Sequence, residues 1–322
     1  MLRYIAGRLI ESLVVLAVMS YLIYALIGLM PGDPIDIMVQ ADPNLTPDDA
    51  ARLKALYGLD KPLHERYLNW LAAAFQGDFG YSRISNQPVL ATLGPRLVNT
   101  LVLMGLGFVL SLAIALPIGI FSALRPYSAR DYAINFAALA GISIPVFWFA
   151  LMLIFLFAVV WGVLPAGGMY TIGVDSLADR ARYLVLPVLT LSAASAGGFT
   201  RFMRASMIET MRQDYIRTAR AKGLSARRVV LKHALRNALI PVVTIAALSF
   251  GALFSGALIT ETMFSYLGMG KLIYDSILGN DYNVAMVSLL FATLLTLAAN
   301  LIADVCYAWL DPRISYGGER PT

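Results

Sequence analysis

The chain has 322 residues, of which 59% are hydrophobic and 14% charged. Ordinary soluble domains are about 45–50% apolar and about 25% charged, so a soluble globular enzyme is excluded, and so is a disordered chain, which so much apolar surface could not leave solvated. The formal net charge of +5 must be assigned to membrane sides before it is read as affinity for nucleic acid. The single cysteine, Cys306, excludes an intrachain disulfide, and the histidines, His64 and His233, have no neighbouring Cys with which to form a zinc set.

A hydrocarbon core ~30 Å thick needs roughly 20 apolar residues of helix, and six such stretches follow one another. The first covers 9–30 and carries no charge from residue 13 onward. It is longer than a signal-peptide core of about 7–15 residues. No small-x-small cleavage site precedes Pro31-Gly32-Asp33-Pro34, so the stretch reads as a retained anchor. Residues 31–97 are too long for a plain loop and predict a small helical subdomain. Thr46 there is placed to cap a helix with Pro47 in its first turn and an end near Gly58, and a second helix is expected around 63–75, carrying Tyr67 and Trp70. The remaining spans are predicted at 98–124, 132–161 with a kink at Pro145, 183–203 with Pro187 and a small-residue run over 193–198, 238–260 and 284–308.

With both termini on the cytoplasmic side, the inner segments (1–8, 125–131, 201–237 and 309–322) hold 16 Lys and Arg against 9 outside, while 13 acids lie outside and 5 inside. The positive-inside rule selects this orientation. The predicted fold is an all-α membrane protein with six transmembrane helices and cytoplasmic N- and C-termini. It divides into a tail and first helix (1–30), an extracytoplasmic helical subdomain (31–97) and a five-helix core (98–322) with an inner segment at about 207–237.

That inner segment is the most informative stretch. Ten Lys and Arg fall between 201 and 236. Asp214 is placed to cap a short helix ending at Gly223, and Ser225 to cap a second one reaching about 239, so the pair reads as helix–turn–helix on the cytoplasmic face. Two readings stay open: a loop attracted to anionic lipid headgroups, or a docking element in which Tyr215, Ile216, Ala219 and Leu224 add apolar contacts between the charges.

The run Asp214-Tyr215-Ile216-Arg217-Thr218-Ala219-Arg220-Ala221-Lys222-Gly223, with His233-Ala234-Leu235-Arg236-Asn237-Ala238 and Pro241, resembles the cytoplasmic-loop signature of ABC importer permeases of the dipeptide, oligopeptide and nickel group. The resemblance extends over nearly the whole chain. It includes Pro31-Gly32-Asp33-Pro34, Gly58-Leu59-Asp60-Lys61-Pro62, Gly77-Asp78-Phe79-Gly80, Ser82, Glu261-Thr262, Phe264, Gly268, Gly270, Asp281-Tyr282 and Asp311-Pro312-Arg313-Ile314. Arg217-Thr218-Ala219 stands where the wider importer family has Glu-Ala-Ala, and Leu267 where peptide permeases commonly have Pro.

The resemblance implies a non-catalytic permease subunit in a prokaryotic inner membrane. It implies a second homologous permease, two ATP-binding subunits that hold ATP and Mg2+, and an extracytoplasmic binding protein that delivers di- or oligopeptides. No phosphate-binding G-x-x-x-x-G-K-[ST] loop occurs in the chain, so ATP hydrolysis belongs to the partners, and no cofactor is expected here. It further implies that Asp214, Tyr215, Ile216, Arg217, Thr218, Ala219, Arg220 and Gly223 form a coupling helix entering a groove of the ATPase. Nickel chelates, glutathione or another small solute are alternative cargoes, and a secondary carrier is a remote alternative lacking visible inverted repeats.

The pathway itself is less legible. Ala247, Gly251 and Ser255 share one face of the fifth span, a small-residue seam that reads as helix packing or pore lining. Glu261 and Asp281 read as loop caps or ion pairs at span ends. The segment 31–97 and the loops 162–182 and 261–283 are expected to dock the binding protein.

Overall fold

The computed structural model describes residues 2–29, 46, 48, 49, 52 and 61–310, with positions 2–4, 194, 248, 251–256 and 306–310 described by their backbone alone. Its helices are α1 (Leu2–Gly28), α2 (Leu63–Phe75), α3 (Val89–Ala123), α4 (Ala129–Ser143), α5 (Val146–Leu153), α6 (Leu177–Met211), α7 (Asp214–Ala221), α8 (Ala226–Arg228), α9 (Leu235–Met263), α10 (Met269–Leu278) and α11 (Tyr282–Leu310). A π-helical stretch, Ile154–Val160, runs on from α5, and another, Val229–Ala234, joins α8 to α9. Among the described residues no strand forms beyond one bridge between Tyr81 and Pro88. Four helices are long and apolar enough to cross a membrane, and six spans result when two bent pairs each count as one. The expected all-α membrane fold is what forms.

The helix ends depart from the apolar windows. α3 and α6 are 35 residues each, beginning at Val89 and Leu177 rather than at 98 and 183. At ~1.5 Å per residue each is about 52 Å long, well over the ~30 Å of a hydrocarbon core. The added turn of α3 is held by tertiary contact, with Val89 and Leu93 buried in one cluster with Met269, Ile273 and Val284. A hydropathy window cannot register that.

The third predicted span is not one straight helix. α4 and the α5 stretch meet at 101°. Pro145 has no N–H to continue the ladder and drives Ile144 out of the helical region, to φ −76° and ψ 125°. The fifth span is corrected in the opposite sense. The helix expected to lie on the surface up to about 239 does not stop, because α8, the π-turn and α9 follow without a break, with Pro241 inside α9.

Small residues set how closely α3, α4 and α6 approach. A Cβ on Gly119 would lie 2.8 Å from the Thr200 carbonyl oxygen, and one on Gly197 only 2.5 Å from that of Ala138. Around these contacts Phe108 meets Phe199 and Phe250 edge-to-face, with centroids 6.1 and 5.2 Å apart. The small-residue run at 193–198 therefore packs on its Ala196 and Gly197 side, whereas a Cβ on Gly198 would meet nothing within 4 Å.

At the basic end of the bundle, Asp131 is 1% exposed and accepts a two-pronged ion pair from Arg204, at 2.7 and 2.6 Å. Ser122 and Asn135 side chains and the Tyr127 N–H also donate to it, so one carboxylate ties α3, α4 and α6 together. Arg8 pairs with Asp304 at 3.2 Å and closes α1 on α11.

At the opposite end two more buried carboxylates organise the connections, both as loop caps. Glu261, with no exposed surface, accepts from Thr100 Oγ1 at 2.5 Å and from the Lys271 N–H at 3.0 Å. Thr100 in turn accepts from the Met269 N–H at 2.7 Å, so the first turn of α10 closes on an anion, the charge its N-terminus favours. The conformation needs glycine, since a Cβ on Gly268 would fall 2.1 Å from the Glu261 carboxylate and one on Gly270 2.5 Å from Leu258 Cα. Tyr266 beside it donates to the Asn99 carbonyl; burial, with the Glu261 charge, pushes its phenol up to about 12 and keeps it a donor. Asp281 accepts from Ser82 Oγ at 2.5 Å and from the N–H groups of Arg83 and Ile84, while Arg83 donates to the carbonyls of Gly279 and Asn280.

Replacing Arg204 with Met leaves Asp131 buried without its counter-ion, which is expected to cost about 3–5 kcal/mol. The check is a lowered thermal midpoint of the detergent-solubilised protein; an unchanged midpoint contradicts this account of the ion pair. Gly270→Val drives a side chain into the α9 backbone and is expected to destabilise by at least about 1–3 kcal/mol, whereas Gly198→Ala, with open space, leaves the midpoint unchanged.

Candidate functional site

The predicted coupling segment folds as α7 (Asp214–Ala221) with the turn after it. Its stop is a complete glycine-based cap. Gly223 sits at φ 73°, its N–H reaches the Arg220 carbonyl at 2.9 Å, and the Leu224 N–H reaches that of Ala219 at 3.4 Å. The expected starts differ. The α7 N-cap is Gln213, with Asp214 already in the first turn, and Ser225 precedes α8; neither Gln213 nor Ser225 makes a side-chain cap bond. Asp214 instead pairs with Arg217 at 3.5 Å, both fully in solvent reach.

α7 has two faces with different tasks. Ile216 (0% exposed) and Ala219 (4%) point into the chain's own core, in a cluster with Met203 and Met207 of α6, Val229 and Ala234 of the π-turn, and Ala238 and Val242 of α9. These two do not stand ready for a partner's groove, contrary to the expectation, because a short basic helix holds its place only by burying an apolar stripe. Asp214, Tyr215, Arg217, Thr218, Arg220 and Gly223 remain on the outside. No neighbour lies within 4 Å of a Cβ at Gly223.

One cleft lies before the start of α7 and another beside it. The first, of about 410 Å3, is lined by Tyr127, Arg204, Glu209, Arg212 and Gln213. Tyr127, in the α3–α4 turn, adopts φ 62° and is 66% exposed, a strained and outward-facing residue that hydropathy and charge patterns did not mark. Asp131, whose carboxylate holds the Tyr127 N–H at 2.8 Å, is by sequence pattern only one of the five inner acids. The other cleft, of about 610 Å3, is lined by Tyr215, Lys232, His233, Arg236, Asn237 and Ile240.

The α9 seam is placed only in part. Val242 and Ala246 turn into the core with Ile216 and Phe199 respectively, while Ile240 and Val243 are exposed and Ala247 is half-buried. Gly251 and Ser255 lie on the α9 backbone, outside the residues whose side chains are described. Among the described residues no group of three or more His, Cys, Asp or Glu is arranged to hold a metal ion.

On the opposite end, Thr46 caps as expected: its hydroxyl accepts from the Asp49 N–H at 3.3 Å, and its own N–H and hydroxyl donate to the Asp49 carboxylate, holding that group below the usual carboxylate range. The rest of that predicted helix, with Gly58, lies outside the described residues, as do Pro31-Gly32-Asp33-Pro34. α2 matches its predicted bounds and packs directly on the bundle. Tyr67 bonds Ser20 of α1 at 2.7 Å and its ring meets Tyr21 and Tyr24, while Trp70 carries the aromatic contacts on to Phe79 and Phe291 of α11. The amphipathic rings are spent on joining α1, α2 and α11.

The chain matches two family models: "Binding-prot-dependent transport system membrane comp, N-term" over residues 1–104, and "Binding-protein-dependent transport system inner membrane component" over 115–316. It is 41% identical to the oligopeptide transport system permease protein AppB of Bacillus subtilis, covering 98% of this chain and 100% of that protein. It is 37% identical to the glutathione transport system permease protein GsiC of Escherichia coli, over 98% of this chain and 100% of the relative. Identity is 34% to the dipeptide transport system permease protein DppB of Escherichia coli, over 98% and 99%. Among solved structures, a chain of the inward-facing MetNI methionine ABC transporter shares the fold with a TM-score of 0.53 at 18% identity, over 66% of this chain and 93% of that one. The chain thus belongs to the family of binding-protein-dependent transport system inner membrane components, and it is a non-catalytic, multi-pass permease subunit of a prokaryotic ABC importer.

Proposed function

We propose that this chain is a permease of a peptide importer in which α7 receives the stroke of an ATPase subunit. The cargo rests on the relatives, whose names specify oligopeptide, dipeptide and glutathione transport; glutathione is itself a γ-linked tripeptide. The working complex contains a second homologous permease, two ATP-binding subunits that carry ATP and Mg2+, and an extracytoplasmic binding protein. The basic end, with α7, lies in the cytoplasm, in keeping with the Lys and Arg excess there.

One observation carries the mechanism: the inner face of α7 is locked into a cluster shared with α6, the π-turn and α9. A push on the outer face, through Tyr215, Arg217, Thr218 and Arg220, is passed by Ile216 and Ala219 to two spans at once. Helices packed this tightly tilt as bodies rather than deform, which is how alternating access is driven. The outward side of α9, with Ile240, Val243 and Ala247, then forms the surface on which the second permease closes the pathway. Loops at the opposite end receive the binding protein.

The reading is tested by reconstituting all subunits with the binding protein and measuring uptake of a labelled tripeptide into vesicles. Uptake is expected only with ATP; uptake driven by an ion gradient alone overturns it. Tyr215→Ala combined with Arg217→Glu is expected to abolish co-purification of the ATPase while leaving the thermal midpoint of the permease unchanged. Ile216→Ala is expected to lower that midpoint, at a cost of about 2–5 kcal/mol for emptying a fully buried site. A Cβ at Gly223 meets no described neighbour within 4 Å, so Gly223→Val acts through the strained backbone and the partner. It is expected to uncouple hydrolysis from uptake with membrane insertion intact, and unchanged transport with unchanged co-purification removes α7 from the coupling role.

A further inference from the structure

The turn between α3 and α4 displays a side chain that the chain itself does not use. Tyr127 sits there at φ 62°, a left-handed conformation that is rare for a bulky residue and that Gly or Asn adopts more readily. The residue is 66% exposed, and its hydroxyl makes no hydrogen bond among the described residues. The fold draws only on its backbone. The Tyr127 N–H donates to Asp131 at 2.8 Å, a bond that any residue but proline supplies. Strain kept at a position whose side chain leaves the core points to a task for that side chain outside the chain.

The turn is also stiff. Asp131 holds it through the Tyr127 N–H and the Ser122 hydroxyl, and Arg204 of α6 grips the same carboxylate at 2.6 Å. Ser128 caps α4 and donates to the Arg125 carbonyl at 2.7 Å. A push on Tyr127 therefore reaches α3, α4 and α6 without being lost in a loop. Tyr127 lines the cleft of about 410 Å3 together with Glu209, Arg212 and Gln213, and Gln213 is the N-cap of α7. The exposed ring is thus continuous with the outer face of α7. Glu209 and Arg212 are exposed too, and neither side chain has an ion pair or hydrogen bond among the described residues. Both lie beyond the apolar stretch of α6 that ends at 203, Glu209 by about 9 Å along the helix axis. A soluble partner reaches this cleft, and an acyl chain does not.

We propose that Tyr127 and this cleft form a second contact for the ATP-binding subunit, separate from the outer face of α7. The inference rests on the coupling role proposed for α7 and adds what that role lacks. α7 passes a push to α6 and α9, whereas the Tyr127 turn passes one to α3 and α4. Two contacts also set the direction of the stroke, because a body held at one point pivots freely and a body held at two turns only about the line between them. The lining suits a soluble protein surface, with a tyrosine and an arginine as anchors and an acid beside them at the rim.

The test uses the complete transporter with all its subunits in nanodiscs, with the photo-reactive residue benzoylphenylalanine substituted at Tyr127, at Tyr215 of α7, or at Tyr170, which is 56% exposed at the opposite end. After irradiation, positions 127 and 215 are each expected to capture the ATP-binding subunit and position 170 is not. Capture from 215 without 127 overturns the second contact and leaves the α7 reading standing. Capture from 127 without 215 supports this contact and removes α7 from the coupling role. Capture from neither overturns both, and equal capture from all three positions overturns the contact in favour of unspecific labelling. A crosslink from 127 to lipid or to the second permease alone overturns it as well. Tyr127→Gly separates contact from strain, since glycine takes φ 62° freely. It is expected to weaken retention of the ATP-binding subunit about tenfold, an ordinary loss for an interface anchor, with the thermal midpoint of the transporter's permease unchanged. Unchanged retention makes Tyr127 a merely strained turn residue and overturns the proposal.

Discussion

Three carboxylates that the helical bundle takes out of water, Asp131, Glu261 and Asp281, fix how its helices are connected. An ionised group in an apolar bundle is tolerated only when its lone pairs are met. Each is met by residues far apart in the chain: Asp131 by Arg204, Glu261 by Thr100, Asp281 by Ser82 and Arg83. The loops therefore cannot drift. The α3–α4 turn is held to α6, the turn into α10 is folded around a side chain of α9, and the segment before α3 is buttoned to the turn before α11.

This stapling divides the molecule into parts that can move and parts that cannot. The end carrying Glu261 and Asp281 is tied by short bonds among α3, α9 and α10 and between the segments that precede α3 and α11. At the basic end one ion pair holds α3, α4 and α6, while among the described residues α7 is seated by side-chain packing alone, through Ile216 and Ala219. Packing without directional bonds lets a helix transmit a push while keeping its own shape, which suits α7 to the coupling role proposed above. Of the two π-helical turns, Val229–Ala234 packs against α7, whereas Ile154–Val160 packs with Phe264 at the opposite end. Such turns break regular packing at places where helices shift.

Positive charge on the inner segment is distributed by structural role rather than by topology alone. Some of the basic residues are consumed inside the fold: Arg204 by Asp131, and Arg130 by a stack on Phe121 at 3.8 Å. Others, Arg217 and Arg220 on the outer face of α7, stand exposed. Lys232 and Arg236 line the cleft beside α7. A count of positive charge on the inner segment cannot separate these roles, because it carries no information on which side of a helix each side chain leaves.

The amino-acid sequence by itself determined the membrane class, the number of spans, the bounds of α2, the Thr46 cap and the location of α7 with its glycine stop. Each of these depends on local composition, on helical periodicity or on a turn that only glycine or a capping hydroxyl can make. Tertiary structure alone decided the rest. It showed that α3 starts at Val89, that Pro145 breaks a span by 101°, that the surface helix after Ser225 is the start of a span, and that Tyr67 and Trp70 lock α2 onto the bundle. It also decided that Ile216 and Ala219 point inward. The physical reason is common to all of these: helix ends, bends and buried faces are set by long-range packing and by the pairing of buried charges. Those energies arise between residues up to about 200 positions apart and leave no periodic trace in the chain around either partner.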